Sequence, residues 1–319
     1  HDPFAGGTHL PDIPLVSRTA LGFAVTRAHH ADVGGREPGS MPADSTSLSD
    51  EGVVIAPTRL ASGGEVDSEL LDALISQMRN PEQRAADLRA QLAACRRGEL
   101  RMNEFAQLHG EDVFRQATLA VLDYAERIAR AGIVKLGDGI REAEDVLEDD
   151  ARGEAHDLTI RLRASVEGDR VVLDFSGSDP QHPGNLNCPL AVTESACFFA
   201  MRSLVAAGAP ACSGTWRPIT VLAPEGSIVN AIPPAAVAAG NVETSSRIAD
   251  LVFAAFGHAQ GQGTMNNLTL GNDHFTHYET FGGGQAAQPD AHGPSAVHVA
   301  MSNTLNTPIE ALELEFPLR

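Results

Sequence analysis

Leu158-Thr159-Ile160-Arg161-Leu162-Arg163-Ala164 runs into Glu167-Gly168-Asp169 and out again through Val171-Val172-Leu173-Asp174-Phe175. Leu158, Ile160, Leu162 and Ala164 alternate with Thr159, Arg161 and Arg163, the period of a strand with one face buried. A turn between two such runs signals a hairpin. Upstream the period changes. Leu70, Leu71, Leu74, Ile75 and Met78 recur at helical spacing, and Pro81 opens a second helix through Leu88, Leu92 and Cys95. A third helix is expected from about Glu99 to Leu108 and a fourth through Val113, Ala117, Ala120, Val121 and Tyr124. Gly98, Gly110 and Gly132 fall where caps or turns are expected.

Working outward, residues 191–207 and 243–258 read as helices and 218–222 as a strand. Leu21, Phe23 and Val25 alternate with Gly22, Ala24 and Thr26, so a strand is expected there too. The fold class is therefore mixed α/β (α+β), with a helical block set between Gly/Pro-rich loops and a strand-rich carboxyl-terminal region. The expected divisions are 1–64 (loops and short strands), 65–150 (helices) and 151–319 (mixed, strand-rich), together one domain. No repeat or low-complexity linker interrupts them.

Composition narrows the function classes. Of 319 residues, 43% are hydrophobic and 20% charged, the balance of a globular protein. Lys and Arg number 23 against 42 Asp and Glu, a formal charge of -19. Such a chain repels phosphate backbones, so nucleic-acid binding is not expected. Neither a basic amphipathic stretch nor an apolar run of about 20 residues is present, so no membrane partner is expected. Cys95, Cys188, Cys197 and Cys212 form no CxxC pair and suit a reducing cytoplasm better than a disulfide scaffold. The first residue is His1, and the motif-dense segment begins at once, so the chain reads as cut from a longer frame.

Chemistry concentrates in two clusters near the amino end. One is His1-Asp2-Pro3-Phe4-Ala5-Gly6-Gly7-Thr8-His9-Leu10-Pro11-Asp12, the other Ala28-His29-His30-Ala31-Asp32-Val33-Gly34-Gly35. Imidazole and carboxylate donors together suit zinc, manganese or iron with a position left for water. If the strand through Leu21 continues, His29 and His30 point opposite ways, and one of them faces the site. Each Gly pair serves equally as a turn. No GxxxxGK[ST] string provides a phosphate loop, and Ser176 lacks the GxSxG setting of a serine hydrolase. Asn185 and Asn187 orient a substrate amide or cap turns, with turns favoured. Gly282-Gly283-Gly284 brings amides to an anion or kinks a strand.

In order, these clusters resemble the hydantoinase B / 5-oxoprolinase / acetone carboxylase family. The resemblance rests on HDPFAGGTHLPD at 1–12, AHHADVGG at 28–35, Pro38-Gly39-Ser40-Met41, Glu51-Gly52, DFSGSDPQ at 174–181 and GNLNCP at 184–189. It continues through RPITVLAPEGSIVN at 217–230, PPAAVAAGNVETSSRIAD at 233–250, YETFGGG at 278–284 and NTLNTPIEALELEFPLR at 303–319. His1 stands where the family has Asn, Cys212 where it usually has Asn, and Gly284-Gln285-Ala286 lacks one glycine of the family pattern.

The resemblance implies the metal-dependent subunit of an ATP-dependent cyclic amidohydrolase of the 5-oxoprolinase or N-methylhydantoinase type. Its implied partner is an A-type ATPase subunit, which spends ATP to phosphorylate the carbonyl oxygen of a small cyclic amide, in a cytoplasmic hetero-oligomer. It also implies a divalent metal on His9, Asp12 and His29. Asp2 and Asp32 would support those ligands or act as general base, and Thr8 with the Gly6-Gly7 amides would steady an oxyanion. The alternatives are a ketone (acetone or acetophenone) carboxylase subunit and a non-catalytic scaffold subunit.

Overall fold

The computed structural model describes residues 20–148, 157–272, 275–298 and 314. Along them run α1 (Leu48–Glu51), β1 (Ala61–Ser62), β2 (Glu65–Val66), α2 (Ser68–Ile75), α3 (Pro81–His109), α4 (Glu111–Leu136) and β3 (Gly139–Leu147). Then follow β4 (Leu158–Glu167), β5 (Arg170–Asp174), α5 (Leu190–Val205), β6 (Ile219–Leu222), α6 (Thr244–Ala255), β7 (Asn267–Asn272) and β8 (Phe275–Thr280). The architecture is mixed α/β, as expected.

The hairpin forms as its alternation requires. β4 and β5 pair antiparallel, Glu167 opposite Arg170. β3 joins β4 antiparallel, and β6 joins β5 parallel, giving the order β3-β4-β5-β6. Leu158, Ile160, Leu162 and Ala164 all point into the core, where they meet Phe175 and side chains of α5 and α6 such as Met201 and Leu251. Fully burying a Leu, Ile or Phe contributes about 1.5–3 kcal/mol, so this single face supplies much of the fold's stability. A smaller cluster under the loops gathers Leu71, Ile75 and Ala85.

The helical block differs from its expected punctuation. α3 is one helix of 29 residues, continuous through Gly98. α4 is continuous through Gly132. Only Gly110 breaks the pair, at φ +92°, a conformation side chains resist. Gly98 and Gly132 are glycine because another backbone lies close. A Cβ on Gly98 would stand 2.9 Å from Cβ of Ala24, and one on Gly132 would stand 2.1 Å from the carbonyl oxygen of Val205 in α5. β3 begins at Gly139, within the stretch expected to be helical.

The strand expected at 21–26 does not form. Alternation makes a strand only where a ladder partner exists, and no described residue provides one. The segment instead runs from the first turns of α4 along α3. Arg115 donates to the Ala20 carbonyl at 3.1 Å, Ala24 lies against Gly98, and Thr26 Oγ1 is 3.4 Å from Cys95 Sγ. No helix among the described residues is long and apolar enough to cross a membrane.

Candidate functional site

This strap delivers both histidines of AHHADVGG to one cavity of about 310 Å³. The apolar wall is formed by Val33, Val53, Ile55, Met78, Leu88 and Val192, and the polar groups include His29, His30, Glu51 and Gln91. Because the segment is not a strand, the expectation that one histidine turns away does not hold. His29 is exposed. His30 is half-buried, its Nε2 3.3 Å from Gln91 Oε1 and its Nδ1 3.8 Å from an Asp87 carboxylate oxygen. That inner nitrogen is buried without a hydrogen bond.

Asp32 lies in the next turn and is 1% exposed. Its Oδ1 accepts from the Gly34 amide at 2.8 Å and from Ser40 Oγ at 2.9 Å, and its Oδ2 accepts from the Gly39 amide at 2.8 Å. Arg79 adds a charged donor at 3.2 Å. Burial would raise the Asp32 carboxyl, but these hydrogen bonds and the Arg79 charge outweigh it and hold it below the ordinary carboxylate value. A carboxylate so engaged fastens the loop that carries the histidines. It has the geometry of a support and not that of a base awaiting a proton.

The paired glycines have the same structural purpose. A Cβ on Gly34 would stand 2.3 Å from the Gln77 carbonyl oxygen, and one on Gly35 would stand 2.7 Å from that of Glu51. Ser40 Oγ closes the knot by accepting from the Val33 and Gly35 amides at 2.8 and 2.9 Å.

Sequence reasoning alone does not single out Glu51 or Gln91. Glu51, 1% exposed, accepts from the Ala238 amide at 2.8 Å, from Ser45 Oγ at 2.8 Å and from the Val237 amide at 3.0 Å. Burial nonetheless pushes its carboxyl up. Its position in the Glu51-Gly52 signature is the signal that could have found it. Gln91 has none, being one polar residue in a polar helix.

The other sequence candidates resolve into framework. Asn187 Nδ2 donates to the carbonyls of His182, Gly184 and Ala236 at 2.8, 2.8 and 2.9 Å. Asn185 donates to Pro42 O at 2.9 Å, so both hold turns. The Gly283 amide donates to Gln262 Oε1 at 2.5 Å, and a Cβ on Gly284 would meet the Pro294 carbonyl at 2.7 Å. Thr244 hydrogen-bonds the Leu186 carbonyl, and Glu243 accepts from Thr264. Burial pushes the Cys188 thiol up to about 12 and raises Cys197 well above its usual value, so neither supplies a thiolate near neutral pH.

Asp2, Thr8, His9, Asp12 and the closing Asn303–Glu313 stretch lie outside the described residues. Among the described residues no group of three or more His, Cys, Asp or Glu is placed to hold a metal ion. What they contribute is one imidazole of the expected ligand set, His29, on an exposed stretch of a cavity wall.

A family model described as hydantoinase B/oxoprolinase matches residues 1–319. A 5-oxoprolinase of Dictyostelium discoideum is 34% identical over 99% of this chain and 26% of its own length. A protein of Pseudomonas sp. (strain NS671), named as one subunit of a D-/L-hydantoinase, is 30% identical over 100% of this chain and 58% of its own. The chain thus spans about a quarter of the first relative and less than two thirds of the second. Among solved structures, the ATP-dependent caprolactamase from Pseudomonas jessenii superposes with a TM-score of 0.79 at 24% identity, over 91% of this chain and 53% of that one. An acetone carboxylase superposes at 0.72 and 16% identity, over 86% and 40%. At these identities the likeness is one of fold.

Proposed function

The chain belongs to the hydantoinase B/oxoprolinase family, and from that premise we propose that it is the metal-dependent part of an enzyme that opens a small cyclic amide at the expense of ATP. The observation that carries the reading is the cavity beside His29 and His30, whose loop is fastened by Asp32, Ser40 and Arg79. A partner of the A type is assigned the ATP step, placing a phosphoryl group on the ring carbonyl oxygen. Water then adds to that carbon, the C–N bond breaks with nitrogen taking a proton, and the phosphoryl group passes to water. The naming of one relative as a subunit supports the two-part organisation.

On this reading His29 would hold a divalent zinc, manganese or iron ion together with His9 and Asp12. Such an ion supplies a Lewis acid and lowers the pKa of bound water. The chain's own residues do the rest. Asp32 holds the loop in place, Gln91 fixes the His30 ring, and the apolar wall keeps bulk water from the ring. Asp2 and Thr8 are assigned to proton transfer and oxyanion support, respectively.

The test is elemental analysis of the chain purified with its A-type partner, alongside His9→Ala, Asp12→Ala and His29→Ala. About one ion per chain is expected, lost in each variant while the circular dichroism stays unchanged. ATP-dependent opening of 5-oxoproline or hydantoin should fall with it. Unchanged metal content in the variants overturns the ligand assignment. No metal and no ring opening in the parent would leave a scaffold.

A further inference from the structure

The face that α4 buries is not the face its sequence marks. Val113, Ala117, Ala120 and Tyr124, followed by Arg127, recur alternately four and three residues apart, the spacing of a seam between two helices. All five are exposed, Val113 and Tyr124 each at 51%. α4 turns its opposite side inward, through Ala125, Ala129 and Ile133. A contiguous apolar row left in water and rimmed by charge marks an interaction surface. The charges at its two ends are of opposite sign. Glu111 and Asp112 stand exposed in the first turn. At the other end the Arg127 guanidinium lies 5.9 Å from the centroid of the Tyr124 ring, and none of the three forms an ion pair with a described residue. Reversed, the row is its own complement: acid meets arginine, and the small pair Ala117 and Ala120 meets itself. A second copy laid antiparallel satisfies both conditions, whereas a different partner has no need of that symmetry.

We propose that this face of α4 is an interface between two copies of the chain, paired antiparallel about a two-fold axis between Ala117 and Ala120. In that register Ala117 faces the second copy's Ala120, and Val113 faces its Tyr124. Alanines in the middle let the helix axes approach to about 8 Å, and Arg127 reaches the second copy's Glu111 and Asp112. The chain's charge of -19 opposes association at long range. At about 0.15 M salt, charges more than about 8 Å apart are largely screened, while the pairs at the ends of the seam lie closer. One helix pair buries less than the roughly 1,600 Å² of a standard interface, so the dimer is reversible and belongs to the micromolar range.

The experiment is sedimentation equilibrium of the chain, alone and with its ATPase partner, at about 0.15 M salt. The parent should pass from one copy to two in the micromolar range in either case. Ala120→Glu places two like charges at the centre of the seam and should abolish the second copy across that range, with the circular dichroism unchanged. Arg127→Glu should weaken pairing about tenfold, because the symmetry turns two attractions into repulsions at once. Adding Glu111→Arg and Asp112→Arg to that variant should restore it. Residues 112 and 127 of one helix are about 22 Å apart, so restoration can come only from an antiparallel neighbour. If Ala120→Glu lowers the helix content, this charge exchange at the rim decides alone. A single copy at every concentration overturns the proposal, as does a dimer that Ala120→Glu leaves intact or a charge reversal that is not restored. A complex with the ATPase partner that Ala120→Glu dissolves would overturn it too, since the face would then belong to that partner.

Discussion

Arg79 reaches back from the turn between α2 and α3 and sets Nη1 3.2 Å from Oδ2 of Asp32. The same nitrogen donates to the carbonyls of Gly35 and Glu37 at 2.8 and 2.9 Å, and Nη2 donates to that of Arg36 at 3.0 Å. One guanidinium thus ties the helical block to the loop that carries His29 and His30. Asp32→Ala would strand the Gly34 and Gly39 amides and take from Arg79 its charge partner, leaving it the three carbonyls. A cost of about 3 kcal/mol is expected, because removing one member of a buried pair exposes the other's desolvation. Urea unfolding measures it, and a loss below about 1 kcal/mol would show the knot to be dispensable.

The same carboxyl gives a pH signature. Its folded value lies below 3.8, so its contribution is present above 3.8 and disappears as pH falls through the folded value. Glu51 works in the opposite sense. Burial raises it above 4.5, so the folded state binds its proton more tightly than the unfolded chain. That stability is present below 4.5 and is lost as pH rises through the folded value. Comparing parent and Glu51→Gln from about pH 4.5 upward isolates it. The parent's unfolding free energy should decline relative to the variant's over that range, and parallel curves would show that Glu51 titrates normally.

How far the sequence disclosed this molecule depended on whether side-chain pattern or tertiary partners decide the structure. β4 was legible because every second residue is apolar and buried. β3 was not, because its half-buried positions include Arg141 and Asp145. Arg141 stacks over Phe256 at 5.2 Å and donates to the Leu136 carbonyl at 2.6 Å, while Asp145 pairs with Arg247 of α6 at 3.2 Å. Arg141 is held by the nearby Leu136 carbonyl and the distant Phe256 ring, and Asp145 by the distant Arg247, so no hydrophobic period remains to read. At the site the histidines and Asp32 were legible as types, but the support given by Asp32 required knowing where Ser40, Gly39 and Arg79 lie. His29 and His30 share a cavity through a strap whose course is set by α3.

Asn187 tests the framework reading of GNLNCP. Its amide serves three carbonyls, and its Oδ1 accepts from the His182 amide at 2.6 Å. Asn187→Ala should cost about 3 kcal/mol, since buried groups lose their partner. Asn185→Ala should cost about half that, as it serves the Pro42 and Ala43 carbonyls alone. Equal, small losses would favour a ligand-facing role for both, visible as a weakened KM in place of lowered stability.

Gly132 separates two reasons for being glycine. In a solvent-facing helix Gly→Ala stabilises by about 1 kcal/mol. At 132 the added methyl would stand 2.1 Å from the Val205 carbonyl oxygen and 2.7 Å from its Cβ, so α4 and α5 would have to part. The overpacking exceeds the propensity gain, and a net loss of about 2 kcal/mol is expected. Gly110 has open space around it but φ +92°, so Gly110→Ala should cost about 1 kcal/mol through backbone strain alone. Gly208 has neither constraint, and Gly208→Ala should lie within about 0.5 kcal/mol of the parent. Thermal unfolding of the three variants gives the order Gly132 worst, then Gly110, then Gly208. A stabilised Gly132→Ala would mean that α4 and α5 lie farther apart than this packing requires.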